Sequence, residues 1–193
     1  YGIAKLAVEH DLRAAGKIFG LRSVVLRPHN VYGERQNLSD PHRNVVGIFM
    51  NQVLSGRPCT VFGDGCQTRG FSYVGDVAPM IAECVRVQSA WGRTFNLGAD
   101  EVTSVREVAT LVQRALGRDT GIEFLPARPE GHHPLSDHAA ATEVFGRRAV
   151  TPFSEGLRRM AAWARDLELA PSRTFGPIEL ERGLPESWTQ RNS

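Results

Sequence analysis

Short apolar runs of strand length alternate along this chain with segments of helical periodicity, and that alternation restricts it to the α/β class. Ile3, Leu6, Ala7, Ala14, Ala15 and Ile18 recur at helical spacing over residues 1–19, and Gly20 ends the pattern. The run LRSVVL at 21–26 has strand character and is stopped by Pro28. Polar, turn-rich residues 37–44 predict a loop, and residues 45–54 a helix closed by Gly56. Strands are expected near 60–62 and 71–74, on either side of GDGCQTRG. Asp76 is placed to cap a helix reaching about residue 87, with Pro79 in its first turn. A strand follows at 94–97. Ser104 and Glu107 then form a capping box before an amphipathic helix that Gly117 closes. Residues 122–125 predict a strand, PARPEGHHP a loop, and 137–145 and 153–167 two helices, the second opened by Thr151 and Pro152.

Composition narrows the function classes. With 193 residues, 41% of them apolar, the chain is long enough for one sizeable domain. A formal net charge of +2 gives no electrostatic argument for nucleic acid, and the arginines are scattered as on a solvated surface. Lys5 and Lys17 are the lysines. No apolar stretch approaches the ~20 residues of a membrane span, and no signal peptide is visible. Cys59, Cys66 and Cys84 form no CxxC pair, which argues against disulfides and a zinc site and fits a reducing cytoplasm. His132, His133, Asp137 and His138 cluster in a Pro- and Gly-rich stretch where exposed histidines are the commoner outcome, so no metal is expected. Tyr1 opens the chain in mid-helix, and no methionine precedes Met50. The expectation is a downstream piece of a longer protein.

Tyr1 and Lys5 stand four residues apart, so a helix projects both from one face. They read either as an ordinary surface pair or as a catalytic one. In the second case the ammonium favours the phenolate, lowering a phenol pKa from its usual ~10 towards neutrality. The block GDGCQTRG is not a dinucleotide fingerprint. Thr68 occupies the third glycine position, and strand-like FSYV follows where a helix is needed. Its glycines suit a tight strand-to-strand turn that aims Arg69.

YGIAKLAVE, then LRPHNVYGERQ, then GRPCTVFGDGCQTRGFSYVGDV and finally GPIELERGLPESW occur in this order. Together they resemble the extended short-chain dehydrogenase/reductase superfamily, within it the NAD-dependent epimerase/dehydratase family and its UDP-glucose 4-epimerase-like members. The resemblance implies the C-terminal part of a Rossmann-type doubly wound parallel sheet plus a small α/β substrate-binding domain. Residues 1–30 would end the NAD-binding domain, and 31–193 would be mainly substrate domain with segments returning to the sheet. Tyr1 would be the catalytic acid/base, and Lys5 would tune it and bond the nicotinamide ribose. Pro28 and Asn30 would pass the nicotinamide. Asn30, Arg69 and Arg128 would hold the substrate diphosphate, a role suited to guanidinium forks. The residues alone leave a second reading for each: Asn30 holding a turn after Pro28, Arg69 paired with Asp64 or Asp76 on the surface, and Arg128 a solvated loop residue.

The implied activity is 4-epimerisation of a nucleotide-diphosphate sugar through a transient 4-keto sugar, with NAD as cofactor. A related 4,6-dehydratase or decarboxylase, and a non-catalytic or truncated sugar-nucleotide-binding protein, are the alternatives. The resemblance also implies a cytoplasmic homodimer when full-length, and a fragment that is inactive alone. Two departures leave the sugar class open: Gly70 stands where the family has Asp after the motif arginine, and Glu130-Gly131 replace its Gly-Asp. The choice between NAD and NADP rests on the glycine-rich loop and acidic ribose ligand, which the family carries upstream.

Overall fold

In chain order the elements are α1 (Gly2–Phe19), β1 (Val25–Pro28), β2 (Val31–Tyr32), α2 (Val45–Leu54), β3 (Cys59–Phe62), β4 (Thr68–Gly70), β5 (Ser72–Tyr73) and α3 (Val74–Cys84). They continue with β6 (Thr94–Leu97), β7 (Val102–Ser104), α4 (Val105–Leu116), β8 (Ile122–Leu125), α5 (Ala139–Phe145) and α6 (Phe153–Ala164). The structure is a computed structural model that describes residues 2–40, 44–128, 136–146 and 148–167. Strands alternate with helices, and two strand pairs are parallel. β1 runs with β6, in register from Val25↔Thr94 to Pro28↔Leu97. β3 runs with β8, from Cys59↔Ile122 to Phe62↔Leu125. The fold is α/β.

The chain divides into two compact units, one of residues 1–31, 70–102 and 134–153, the other of the remainder. The first unit is built around β6, whose Phe95 and Leu97 are buried against Val77 and Cys84 of α3 and Ala141 and Phe145 of α5. Leu26 of β1 packs against this cluster from the neighbouring strand. In the second unit α2 packs on α4 and on β3. Phe49, Met50 and Val53 of α2, Val108 and Val112 of α4, and Leu157 and Met160 of α6 are fully or almost fully buried. Along β3, Cys59 and Val61 point into the core while Thr60 and Phe62 are half-buried, the two-residue period of a strand.

Local signals explain the helix ends. Asn44 caps α2, its side-chain oxygen accepting from the Val46 and Gly47 amides. The Ser104 hydroxyl accepts from the Glu107 amide at 3.2 Å, and Gly117 ends α4 in the left-handed region at φ 67°. The buried Gln113 carboxamide then accepts from the Thr120 and Gly121 amides at 2.8 and 3.0 Å, fixing the turn into β8.

Three of the departures from expectation have a visible cause. β1 lies at Val25–Pro28 rather than 21–26, because its partner β6 begins only at Thr94. Upstream, the Ser23 carbonyl accepts from the Gly92 amide and Arg22 lies over Trp91, so that stretch follows the turn before β6. α3 begins at Val74 without a side-chain cap. The Asp76 carboxylate instead accepts from both the amide and the hydroxyl of Thr151, each at 2.8 Å. Pro79 therefore sits in the second turn, where it removes the bond to the Gly75 carbonyl. α5 begins at Ala139 because Asp137 accepts the Ala139 amide at 2.8 Å. No helix among the described residues is long and apolar enough to cross a membrane.

Candidate active site

Lys5 lies on α1, and one groove of about 670 Å³ is lined by Lys5, Leu6, Glu9 and Leu12 on the helix side and by residues 24–28 on the β1 side. Pro28, the last residue of β1, thus shares this groove with Lys5. The C-terminal ends of parallel strands are where α/β sheets place ligands. Glu9, one turn from Lys5, accepts from Nε and Nη2 of Arg27 at 2.7 and 2.5 Å. This fork holds the Glu9 carboxyl below the usual carboxylate range.

Asn30 follows at φ 39°, a left-handed conformation that asparagine tolerates better than most residues. Its side-chain NH2 donates to the Gly70 carbonyl at 2.9 Å, and its own carbonyl accepts from the Ser72 amide at 3.3 Å. One amide hydrogen is therefore committed to holding the chain. Between Pro28 and Asn30, the His29 ring meets His138 edge-on at 5.8 Å. His138 Nδ1 stands 2.7 Å from Asp100 Oδ1, while Nε2 of both histidines is buried with no hydrogen-bond partner among the described residues.

Burial pushes the His29 pKa down, helped by His138 and Arg27. The folded value therefore lies below the unfolded ~6.5, and the unfolded chain binds more protons in the window beneath that value. The stability of this unit is expected to be fully developed above pH ~6.5 and to fall as the pH drops through the folded value. Urea midpoints measured from pH 8 to pH 5 should show that slope, and His29→Phe should flatten it.

In the second unit, residues 63–67 of the GDGCQTRG segment form the compact turn that leads into β4 and Arg69. Gly63 and Gly65 adopt φ 68° and 75°, and the Asp64 carboxylate accepts from the Cys66 amide at 2.9 Å. Gln67 donates to the Phe62 carbonyl at 3.0 Å, and the Gly65 carbonyl accepts from the Arg106 amide at 3.0 Å. A Cβ on Gly65 would stand 2.8 Å from Val61 Cγ1 and 3.0 Å from Arg106 Cβ, so this turn needs glycine for space as well as for φ. Arg69 Nη1 donates to the Thr68 carbonyl at 2.8 Å. Arg128 lies over the Phe62 ring, 4.2 Å from its centroid, at the start of the same turn.

Tyr1, residues 129–131, His132 and His133, and the closing GPIELERGLPESW lie outside the described residues. Among the described residues no group of three or more His, Cys, Asp or Glu is placed to hold a metal. The Cys59 thiol is pushed up to about 12 by burial, so it is no nucleophile at neutral pH. The Glu9–Arg27 fork, the Arg128–Phe62 stack and the His29–His138 contact are additions that residue spacing does not reveal.

Residues 1–98 match the family model described as the NAD dependent epimerase/dehydratase family. The chain belongs to that family. A family member named as a putative UDP-glucose 4-epimerase, from Methanocaldococcus jannaschii, is 31% identical over 169 residues, 86% of this chain and 53% of that protein. The solved UDP-glucose 4-epimerase of Thermotoga maritima with UDP-glucose superposes with a TM-score of 0.78 at 31% identity, covering 86% of this chain and 53% of the other. The Thermus thermophilus UDP-glucose 4-epimerase in complex with NAD superposes with a TM-score of 0.75 at 34% identity, covering 86% and 54%. The chain spans about half the length of the curated epimerase relatives it matches.

Proposed function

We propose that the intact protein carrying this chain is a nucleotide-sugar 4-epimerase of the UDP-glucose/UDP-galactose type, working with NAD. The observation that carries the reading is the groove shared by Lys5 and Pro28 at the end of β1, in a chain of an NAD-dependent family. Likeness to one epimerase solved with UDP-glucose and another with NAD supports it. The groove residues fit the nicotinamide-ribose end of NAD: leucine and valine walls suit an apolar ring face, and the Lys5 ammonium suits ribose hydroxyls. When bound, NAD supplies the hydride acceptor and donor.

In this reading Tyr1 takes the proton of the sugar C4 hydroxyl during oxidation and returns one during reduction, and Lys5 favours the phenolate by its charge. Arg69 and Arg128 bind the diphosphate oxygens, Arg128 braced from behind by Phe62. The second side-chain N–H of Asn30 adds a donor to the same group. The unit of residues 1–31, 70–102 and 134–153 is the end of the NAD-binding domain, and the other unit carries the two arginines.

The test is to incubate the intact protein with UDP-glucose or UDP-galactose and catalytic NAD+. Interconversion at C4 with no net NADH is expected, because the hydride returns to the same sugar. Loss of water, release of carbon dioxide or stoichiometric NADH would assign a dehydratase, a decarboxylase or a dehydrogenase instead. Arg128→Ala should raise KM for the nucleotide sugar about 10–100-fold, the worth of one charge-assisted contact, with a smaller effect on kcat.

A further inference from the structure

We infer that the Glu9–Arg27 ion pair is a positioning element that sets the register of α1 along β1 and so brings Lys5 level with the C-terminal end of that strand. The inference deepens the reading above and rests on it. No residue of this 18-residue helix is buried, and Ile3 and Ile18 are 88% and 70% exposed. Leu12, Ala15 and Gly16 are half-buried, and a bidentate ion pair joins the helix to β1. The ion pair supplies a directional constraint. Its two parallel bonds join residues 18 apart in sequence, and the Glu9 side chain is only 12% exposed. Arg13 steadies the same turn by donating to the Glu9 carbonyl at 3.3 Å.

The register follows from element geometry. The Leu21 amide donates to the Ala15 carbonyl and Arg27 to the Glu9 carboxylate, so moving back along α1 and forward towards the end of β1 leads in the same direction. From Glu9 to Lys5 the helix advances about 6 Å at 1.5 Å per residue. From Arg27 to residue 29 the strand advances about 6.6 Å at 3.3 Å per residue. Pairing Glu9 with Arg27 therefore sets Lys5 beside the segment between Pro28 and Asn30. A slip of one helical turn, about 5.4 Å, would withdraw it to the level of Arg27, out of reach of a ligand at the strand end. A surface ion pair with no such role would contribute at most a small increment of stability.

The experiment uses the intact protein and compares wild type with Glu9→Gln, Arg27→Lys and Lys5→Met. NAD+ affinity is measured by calorimetry, kcat and KM as functions of pH, and the thermal midpoint alongside. Arg27→Lys keeps the charge and loses the fork. Both pair variants are expected to weaken NAD+ binding about tenfold, the worth of one misplaced hydrogen bond, and to move the pH at which kcat rises upward. The shift in pH follows because a withdrawn ammonium no longer favours the phenolate. If Glu9→Gln fails to fold, Glu9→Asp, which keeps the carboxylate but retracts it, should show the same displaced pH profile. Wild-type NAD+ affinity and pH profile in the pair variants, beside an impaired Lys5→Met, would overturn the positioning role alone. An unimpaired Lys5→Met would overturn the role of Lys5 in the proposed function, and the positioning role with it.

Discussion

Replacing Tyr1 with phenylalanine in the intact protein is expected to lower kcat ~10²–10⁴-fold, with KM for the nucleotide sugar held within about twofold. The substitution removes one oxygen and keeps the ring, so binding surfaces that see the aromatic face are retained. In the proposed mechanism the lost atom is the one that accepts and returns the C4 hydroxyl proton, a contribution of about 3–5 kcal/mol to the barrier. The loss should appear equally in both directions of the reaction, since in that mechanism one group serves both half-reactions. Steady-state rates with UDP-glucose and with UDP-galactose test this directly. Wild-type turnover in Tyr1→Phe would remove the tyrosine from the mechanism and leave the proposed chemistry without its base.

The largest stability effect is expected at Phe95. This residue is fully buried on β6, meets Phe145 edge-on with centroids 5.1 Å apart, and carries the Arg93 guanidinium 5.2 Å from its ring centre. Phe95→Ala should cost about 3–5 kcal/mol, combining the lost transfer term with the cavity left between α3, α5 and β1. Typical domains have only about 5–15 kcal/mol to lose, so a large share of the stability goes with one side chain. The damage should reach the candidate site, because Leu26 packs against the same cluster one residue before Arg27. Urea unfolding followed by far-UV circular dichroism measures the loss. A change below about 1 kcal/mol would mean that the side chain is not the centre of this core.

Elements governed by neighbouring residues were legible in the amino-acid string. The helix at Val45–Leu54 and the strands at Thr94–Leu97 and Ile122–Leu125 stand at the positions expected of them. The Ser104 cap and the Gly117 stop were equally visible, because each depends on atoms within a few residues. Features that depend on distant partners were not. β1 moved to its observed place because β6 offers a ladder only from Thr94 onward, nearly seventy residues later. Asp76 looked like a cap, but Thr151 claims its carboxylate from 75 residues away. The site followed the same division. The turn chemistry of GDGCQTRG is local and readable, whereas nothing in spacing pairs Glu9 with Arg27 or stacks Arg128 on Phe62.

The Asp76–Thr151 link also bears on how the protein is made. The unit it ties together is assembled from three separate stretches of chain, with the second unit's segments threaded between them. On a ribosome adding ~5–20 residues per second, Asp76 emerges roughly 4–15 s before the threonine that will bond it. During that interval β6 and α3 exist without α5, and the apolar face that Ala141 and Phe145 later cover stands open to solvent. The second unit is likewise incomplete until Leu157 and Met160 arrive. Neither core is complete until α5 and α6 have left the ribosome, and chaperone occupancy of the nascent chain matters most before that point.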